Sequence, residues 1–181
     1  DPTEYTFVAN ILGIAHPPGY AFYTLLGKLF QTLVPIGTIP WRMHLLSAVA
    51  ATIGALFVFG TVRAVARILF ASATKAGDTP RFTQWALASA VFAALTVAFG
   101  VNYWQHAIHA NPHIITAAFL SANLFFLTRW ATGGTSGRRW IYAFAFSAGL
   151  GITHHPLTVS RCRPIYCSSS SSNRASGASG A

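Results

Sequence analysis

The chain has 181 residues, of which 53% are hydrophobic and 8% are charged, and its formal net charge is +9. Soluble domains carry about a quarter charged residues, so this composition excludes an ordinary soluble domain and indicates a membrane protein. We expect an all-α fold, a polytopic bundle of transmembrane helices with one amphipathic helix lying in the membrane interface.

Residues 1–42 are expected to form a loop on the exterior side of the membrane, after an earlier span that precedes Asp1. The loop opens with two carboxylates, Asp1 and Glu4, in the stretch DPTEYTF. Their spacing places both on one face of a helix, or lets Asp1 cap a helix that starts at Pro2. Carboxylates at a membrane boundary are costly and often functional. Here they suit accepting the proton of a substrate hydroxyl or holding a divalent cation beside a phosphate, and the sequence does not decide between the two.

The stretch LGIAHPPGYAFYTLLGKL, residues 12–29, interrupts an apolar run at a histidine. Pro17 pushes His16 out of the helical conformation, and Gly19 permits a sharp turn. We predict that His16 is held at this corner in a fixed, non-helical conformation, where it can donate to a phosphate oxygen or stabilise a leaving group. A helix boundary with an incidental histidine is the alternative.

The residues after this turn, 19–34, are predicted to form the amphipathic helix. Apolar side chains repeat at helical spacing on one face and polar ones gather on the other. The apolar set is Phe22, Leu25, Leu26, Leu29 and Leu33, and the polar set is Thr24, Lys28, Gln31 and Thr32. A fully inserted span with Lys28 reaching back to the surface is the alternative.

Four apolar segments follow, at about 43–62, 84–103, 112–128 and 140–159, and we predict that each crosses the membrane. Most basic residues fall in two loops on one side: Arg63, Arg67, Lys75 and Arg81, then Arg129, Arg138 and Arg139. By the positive-inside rule that side is cytoplasmic, so the positive charge is a topology signal and no nucleic-acid partner is expected. Residues 160–181 lack the membrane pattern and are expected to be a disordered or aberrant tail.

With this orientation all seven histidines fall on the exterior side: His16, His44, His106, His109, His113, His154 and His155. A preference for the headgroup region explains any one of them, whereas the whole set favours a polar site. Asn111 and Pro112 form a helix start signal between His109 and His113, and no acid or cysteine lies nearby in sequence. We therefore assign no metal ligands, since metal sites use tighter constellations.

The ordered blocks DPTEYTF, LGIAHPPGYAFYTLLGKL, WRMHLLSA, NYWQHAIHANPHIITAAF and GLGITHHP resemble a bacterial family of multi-spanning membrane proteins. That family is catalogued as a domain of unknown function and is similar to the animal O-mannosyltransferase that modifies plexin-type receptors. Both resemble the GT-C superfamily of membrane glycosyltransferases, which take a sugar from a polyprenyl-phosphate carrier. The AHPPG block and its distance from the acidic pair are the most specific parts.

The resemblance implies that residues 1–159 are part of a GT-C-like domain in the inner (plasma) membrane, with its active face on the exterior or periplasmic side. It implies transfer of a sugar from a polyprenyl-phosphate donor to a hydroxyl of a protein or glycan acceptor. The family's acidic pair maps to Asp1 and Glu4, with Asp1 as the base. Further candidates for binding substrate are His16, Arg42, His106, His154 and His155. The family's later spans are not in this sequence, so we expect activity of the full-length protein.

Other classes of function stay open. A transporter or flippase of lipid-linked sugar, a histidine-lined metal or haem handler, and a structural subunit each fit a polar exterior face. Transporters usually show intramembrane charges or broken helices in paired repeats, and the predicted spans show neither.

Overall fold

The computed structural model describes residues 2–17, 20–72, 79–133 and 137–155. Across these ranges the chain forms helices and no strands, which confirms the all-α class. The helices are α1 Pro2–Ile11, α2 Ala21–Leu33, α3 Ile39–Ser72, α4 Thr79–Ala98, α5 Val101–Ala107, α6 Pro112–Thr132 and α7 Arg138–His154. Asp1 and the predicted tail, 160–181, lie outside the described residues.

Two of these helices are long and apolar enough to cross a membrane, namely Ile39–Phe70 within α3 and the whole of α6. If α4 and α5 are taken as one bent span, three helices or helix pairs meet this test. Their outer faces expose large apolar side chains, as suits helices surrounded by lipid: Leu56, Leu69, Phe92, Leu120 and Leu124. α7 covers residues 140–154 of the predicted span 140–159.

The segment 84–103, expected to be one continuous span, is broken near its end. The axes of α4 and α5 differ by 67°. Gly100 between them has an extended backbone, with φ −61° and ψ 132°. Phe99 stacks on Trp104 across the bend, with ring centroids 5.7 Å apart. Hydropathy does not reveal this break because the residues directly beside Gly100, Phe99 and Val101, are both apolar.

α3 lies between α4 and α6 and packs against both. Gly54 allows this close approach, since a Cβ there would lie 2.6 Å from the Tyr103 hydroxyl and 3.3 Å from Cα of Ala118. The Tyr103 hydroxyl donates to the carbonyl of Ala51 at 2.6 Å and so ties α5 to α3.

α2 turns its polar side toward the protein. Thr24, Gly27 and Gln31 are buried, whereas Leu25 and Leu29 are exposed. The predicted separation of polar and apolar faces is present, but Thr24 and Gln31 face α1 and α3 rather than water. The tight fit explains this, because a Cβ on Gly27 would lie 2.9 Å from Cε of Met43 and 3.0 Å from Cβ of Ala9. Its location in the membrane interface stays a prediction.

Alternating helix directions bring several helix ends together at one end of the bundle. The backbone N of Asn111, just before α6, donates to Oγ of Ser47 near the start of α3 at 3.4 Å. Nε2 of His154, at the end of α7, donates to the carbonyl of Pro112 at 2.9 Å. α6 starts where predicted: Oδ1 of Asn111 accepts from the backbone N of His113 at 2.9 Å, and Pro112 follows at the first helical position.

Candidate functional site

A cluster of histidines gathers around Tyr20 at this end of the bundle. The Tyr20 ring centroid lies 5.4 Å from that of His155, 5.8 Å from His154 and 6.1 Å from His113. His106 extends the group, with its ring 5.7 Å from that of His113. We call these five residues the histidine cluster. They come from the start of α2, from α5 and α6, and from the end of α7.

Hydrogen bonds fix which ring nitrogens of the cluster remain available. Nδ1 of His106 accepts from Nδ2 of Asn111 at 2.9 Å, so the neutral ring carries its proton on Nε2 and can donate there. Nε2 of His154 donates to Pro112, so Nδ1 of His154 is left as an acceptor. That Nδ1 is buried without a hydrogen-bond partner, in a residue only 2% exposed. The cluster therefore holds a donor at Nε2 of His106 and a buried acceptor at Nδ1 of His154.

An apolar cleft of about 540 Å³ lies beside the cluster, between α2, α3, α6 and α7. Phe22 and Phe119 line the part of the cleft that is nearest the cluster, and their ring centroids lie 5.9 and 6.3 Å from that of His154. Other residues that line the cleft include Val49, Ile53, Phe57 and Phe146. The polar cluster and the apolar cleft are thus adjacent, and the His154 ring contacts the side chains where they meet.

Glu4 and His16 form a hydrogen-bonded pair at the corner between α1 and α2. Oε2 of Glu4 lies 2.7 Å from Nδ1 of His16, and Oε1 accepts from the backbone N of His16 at 2.9 Å. The hydrogen bond from the His16 backbone is the main cause that lowers the pKa of Glu4, and the bond from the ring adds to it. The predicted non-helical conformation of His16 is confirmed.

Tyr5 connects this hydrogen-bonded pair to the histidine cluster. Its ring centroid lies 5.7 Å from that of His16 and 5.6 Å from that of Tyr20. Burial raises the pKa of Tyr5 to about 12 and also raises that of Tyr20. Both hydroxyls therefore stay protonated near neutral pH and can donate hydrogen bonds.

Arg42 has a structural task in the loop between α2 and α3. Its guanidinium donates to the carbonyls of Gln31, Pro35, Ile36 and Gly37, at 2.9 to 3.1 Å. These four bonds close the loop over residues 34–38. The role of Arg42 in binding substrate stays a prediction, with most of its donors occupied by these carbonyls.

The chain matches one protein family over most of its length. The family described as "Protein O-mannosyl-transferase TMEM260 N-terminal domain" matches residues 1–170. This chain belongs to that family. The O-mannosyltransferase-like family expected from the AHPPG block and the acidic pair is thereby confirmed.

Two curated relatives carry the same name. The mouse protein O-mannosyl-transferase TMEM260 is 35% identical over 154 residues, which covers 84% of this chain and 19% of the relative. The protein O-mannosyl-transferase tmem260 of Dictyostelium discoideum is 26% identical over 168 residues, 85% of this chain and 18% of the relative. The chain spans about a fifth of the length of these relatives. No solved structure matches it.

Within this TMEM260 N-terminal domain, the structure brings some of the predicted site residues together and separates others. His106, His154 and His155 lie in one cluster, and Glu4 pairs with His16 at its edge. Asp1 lies outside the described residues, so its role as base stays a prediction. His44 and His109 pair separately, with ring centroids 6.2 Å apart.

Three contributors to the site are absent from the predicted set: Tyr5, Tyr20 and His113. His113 had a usable signal, since the Asn111-Pro112 start places it in the first turn of α6, near His106. Tyr5 and Tyr20 had none, because tyrosines are common at membrane surfaces. Among the described residues, no three His, Cys, Asp or Glu side chains are arranged to hold a metal ion. A divalent cation that uses Asp1 stays a prediction.

Proposed function

We propose that this chain supplies the donor site of a membrane protein O-mannosyltransferase. In this proposal the enzyme takes mannose from a polyprenyl-phosphate carrier and transfers it to a hydroxyl of a protein acceptor on the exterior face. The names of the mouse and Dictyostelium relatives support the reaction class. The site geometry supports the kind of donor.

The observation that carries the proposal is the contact between the histidine cluster and the apolar cleft. An amphiphile with an anionic head and an apolar tail fits this pairing, because each part meets its own kind of surface. The cleft, of about 540 Å³, is large enough for several isoprene units. Its lining is almost entirely aromatic and aliphatic, so it offers few polar partners to a soluble sugar nucleotide.

The cluster suits a phosphate that becomes the leaving group. His106 can donate from Nε2, and the Tyr20 hydroxyl stays protonated. Hydrogen bonds from such donors stabilise the negative charge that develops on the leaving phosphate. In this proposal Asp1 would hold a divalent cation at the phosphate.

The charge distribution supports placing the site on the exterior face of the inner (plasma) membrane. Six arginines lie away from the site, in the second half of α3, the start of α4, the end of α6 and the start of α7: Arg63, Arg67, Arg81, Arg129, Arg138 and Arg139. The positive-inside rule assigns that end to the cytoplasm.

The test is a transfer assay with the purified full-length protein and radiolabelled mannosyl polyprenyl phosphate. We expect label to move to an acceptor peptide that contains serine and threonine. With the protein reconstituted in vesicles, movement of the labelled donor across the bilayer without transfer would instead identify a flippase. Loss of transfer with a chelator, restored by added divalent cation, would establish the metal requirement.

The flippase is retained as a second candidate because of the bend between α4 and α5. Broken helices line substrate pathways in many transporters. The 67° bend lies near the end of the bundle that holds the histidine cluster. The same assay separates the two functions, since only a transferase forms the product.

A further inference from the structure

Glu4 directs both of its carboxylate oxygens at one residue, His16. An ionised carboxylate can only accept hydrogen bonds, so Nδ1 of His16 carries the proton in this pair. The neutral imidazole then has its lone pair on Nε2. A carboxylate that fixes the tautomer of a histidine in this way is the arrangement that prepares an imidazole to accept a proton.

About half of the His16 side chain is open to a substrate. The side chain is 52% exposed, so a hydroxyl that approaches from the exterior side can reach it. The Tyr5 hydroxyl lies 3.4 Å from Nε2, which is too long for a strong hydrogen bond. A substrate hydroxyl can therefore take its place without loss of a strong contact.

The backbone around His16 is held in a costly conformation. Leu12 has φ 54° and Tyr20 has φ 43°, and non-glycine residues rarely adopt these values. Such residues concentrate at functional sites, where the surrounding structure enforces them. Here they bound the segment that carries His16, and Glu4 fixes both its backbone and its ring.

His16 stands apart from the residues that suit the phosphate. The Tyr5 and Tyr20 rings lie between it and His155. In an in-line displacement the incoming oxygen and the leaving phosphate occupy opposite sides of the sugar carbon, so the base and the phosphate-binding groups are different residues. Glu4 itself is a poor base, since both its oxygens are engaged and its pKa is lowered.

We propose that His16, positioned by Glu4, is the general base that activates the acceptor hydroxyl, an inference that rests on the proposed function. The hydroxyl proton moves to Nε2, and the acceptor oxygen bonds to the anomeric carbon of the sugar. The bond from that carbon to the phosphate oxygen breaks, and its electron pair leaves on the carrier phosphate. Glu4 touches none of the reacting atoms and is a positioning residue.

Other titratable groups around His16 affect how its role can be measured. Glu4 and Tyr5 face it from α1, and Tyr20 with His113, His154 and His155 lies behind Tyr5. Tyr5 stays neutral because its pKa is about 12. The cluster histidines can shape a pH profile of their own, so chemical rescue is needed beside the profile.

The experiment measures mannosyl transfer by the full-length protein as wild type and as H16Q, H16A, E4Q, D1N and H109Q. We expect H16Q to lower kcat by about 10²–10⁴-fold, the range for loss of a general base, with the donor KM within twofold. Added imidazole should restore H16A in proportion to its unprotonated fraction. E4Q should lose less activity than H16Q. H109Q, which changes an exposed histidine outside the site, should match wild type.

Two results would overturn the proposal while transfer by the wild-type protein upholds the proposed function. One is that H16Q keeps the wild-type kcat, or that H16A melts like wild type and is not rescued by imidazole. Either outcome would mean that the Glu4–His16 pair only stabilises the loop. The other is loss of the acid limb of the pH profile in D1N but not in H16Q, which would make Asp1 the base. Absence of transfer by the wild-type protein would count against both proposals.

Discussion

The ring of Tyr20 lies 5.4 Å from that of His155, although the two residues are at opposite ends of the described chain. Tyr20 precedes α2 with φ 43°, a conformation that costs about 1–3 kcal/mol for a residue other than glycine. Its ring also contacts His113 and His154, and the residue is 5% exposed. These contacts offset the strain, so the turn before α2 and the histidine cluster form together.

The Asn111 side chain caps the start of α6 and also orients the His106 ring, so Asn111→Ala should affect both. We expect a loss of about 1 kcal/mol in the free energy of unfolding, the usual value of an N-cap. The donor KM should rise because His106 loses its partner. Asn102→Ala, at an exposed position in α5, is the matched control. An Asn111 variant with unchanged unfolding and KM would show that neither hydrogen bond matters.

Gly54→Val should weaken the packing of α3 against α6. The new side chain meets the Tyr103 hydroxyl and the Ala118 backbone, and overpacking of this kind costs about 1–3 kcal/mol. The melting temperature in detergent is the measurement. Gly149→Ala is the control, since nothing lies within 4 Å of its Cβ, and better helix propensity should leave it equal to or above wild type. Equal melting of Gly54→Val and wild type would refute the close approach.

The Glu4–His16 pair predicts how stability depends on pH. The folded pKa of Glu4 is lowered from 4.5, so its stabilisation is fully present above pH 4.5 and is lost as pH falls through the lower, folded pKa. Glu4→Gln should therefore melt below wild type at pH 6, and the gap should close on acidification. A gap that stays constant with pH would mean that the carboxylate charge plays no part.

Arg42→Lys should lower stability more than a change of one surface cation for another. Lysine cannot reproduce a planar fork that serves four carbonyls, so we expect a loss of about 1–2 kcal/mol. Lys28→Arg, which keeps the single contact to the Asn10 carbonyl within reach, is the control. If Arg42→Lys instead melts like wild type and raises the donor KM, its predicted role in binding substrate is correct.

Patterns along the chain were enough to predict the helical class, the non-helical corner at His16 and the Asn111 cap. Each of these follows from local chemistry: apolar length, the effect of Pro17 on its neighbour, and a side chain that accepts from the second residue of its own helix. Antiparallel helices also explain why histidines far apart in sequence meet at one end.

The remaining features depend on distances that no local pattern encodes. Glu4 reaches His16 only because the chain reverses between them. The carbonyls that occupy Arg42 belong to the backbone, so residue identity does not reveal them. The bend at Gly100 lies within an apolar stretch, and the burial of Thr24 and Gln31 depends on how closely α1 and α3 approach α2.

Photo-crosslinking with a diazirine-bearing polyprenyl phosphate mannose tests the donor site most directly. We predict that label in the full-length protein falls on cleft residues, such as Val49, Ile53 and Phe146. Labelling should compete with unlabelled polyprenyl phosphate but not with free polyprenol, because in our proposal the histidine cluster binds the phosphate. Label spread over the exposed faces of α4, or equal competition by polyprenol, would contradict the donor site described here.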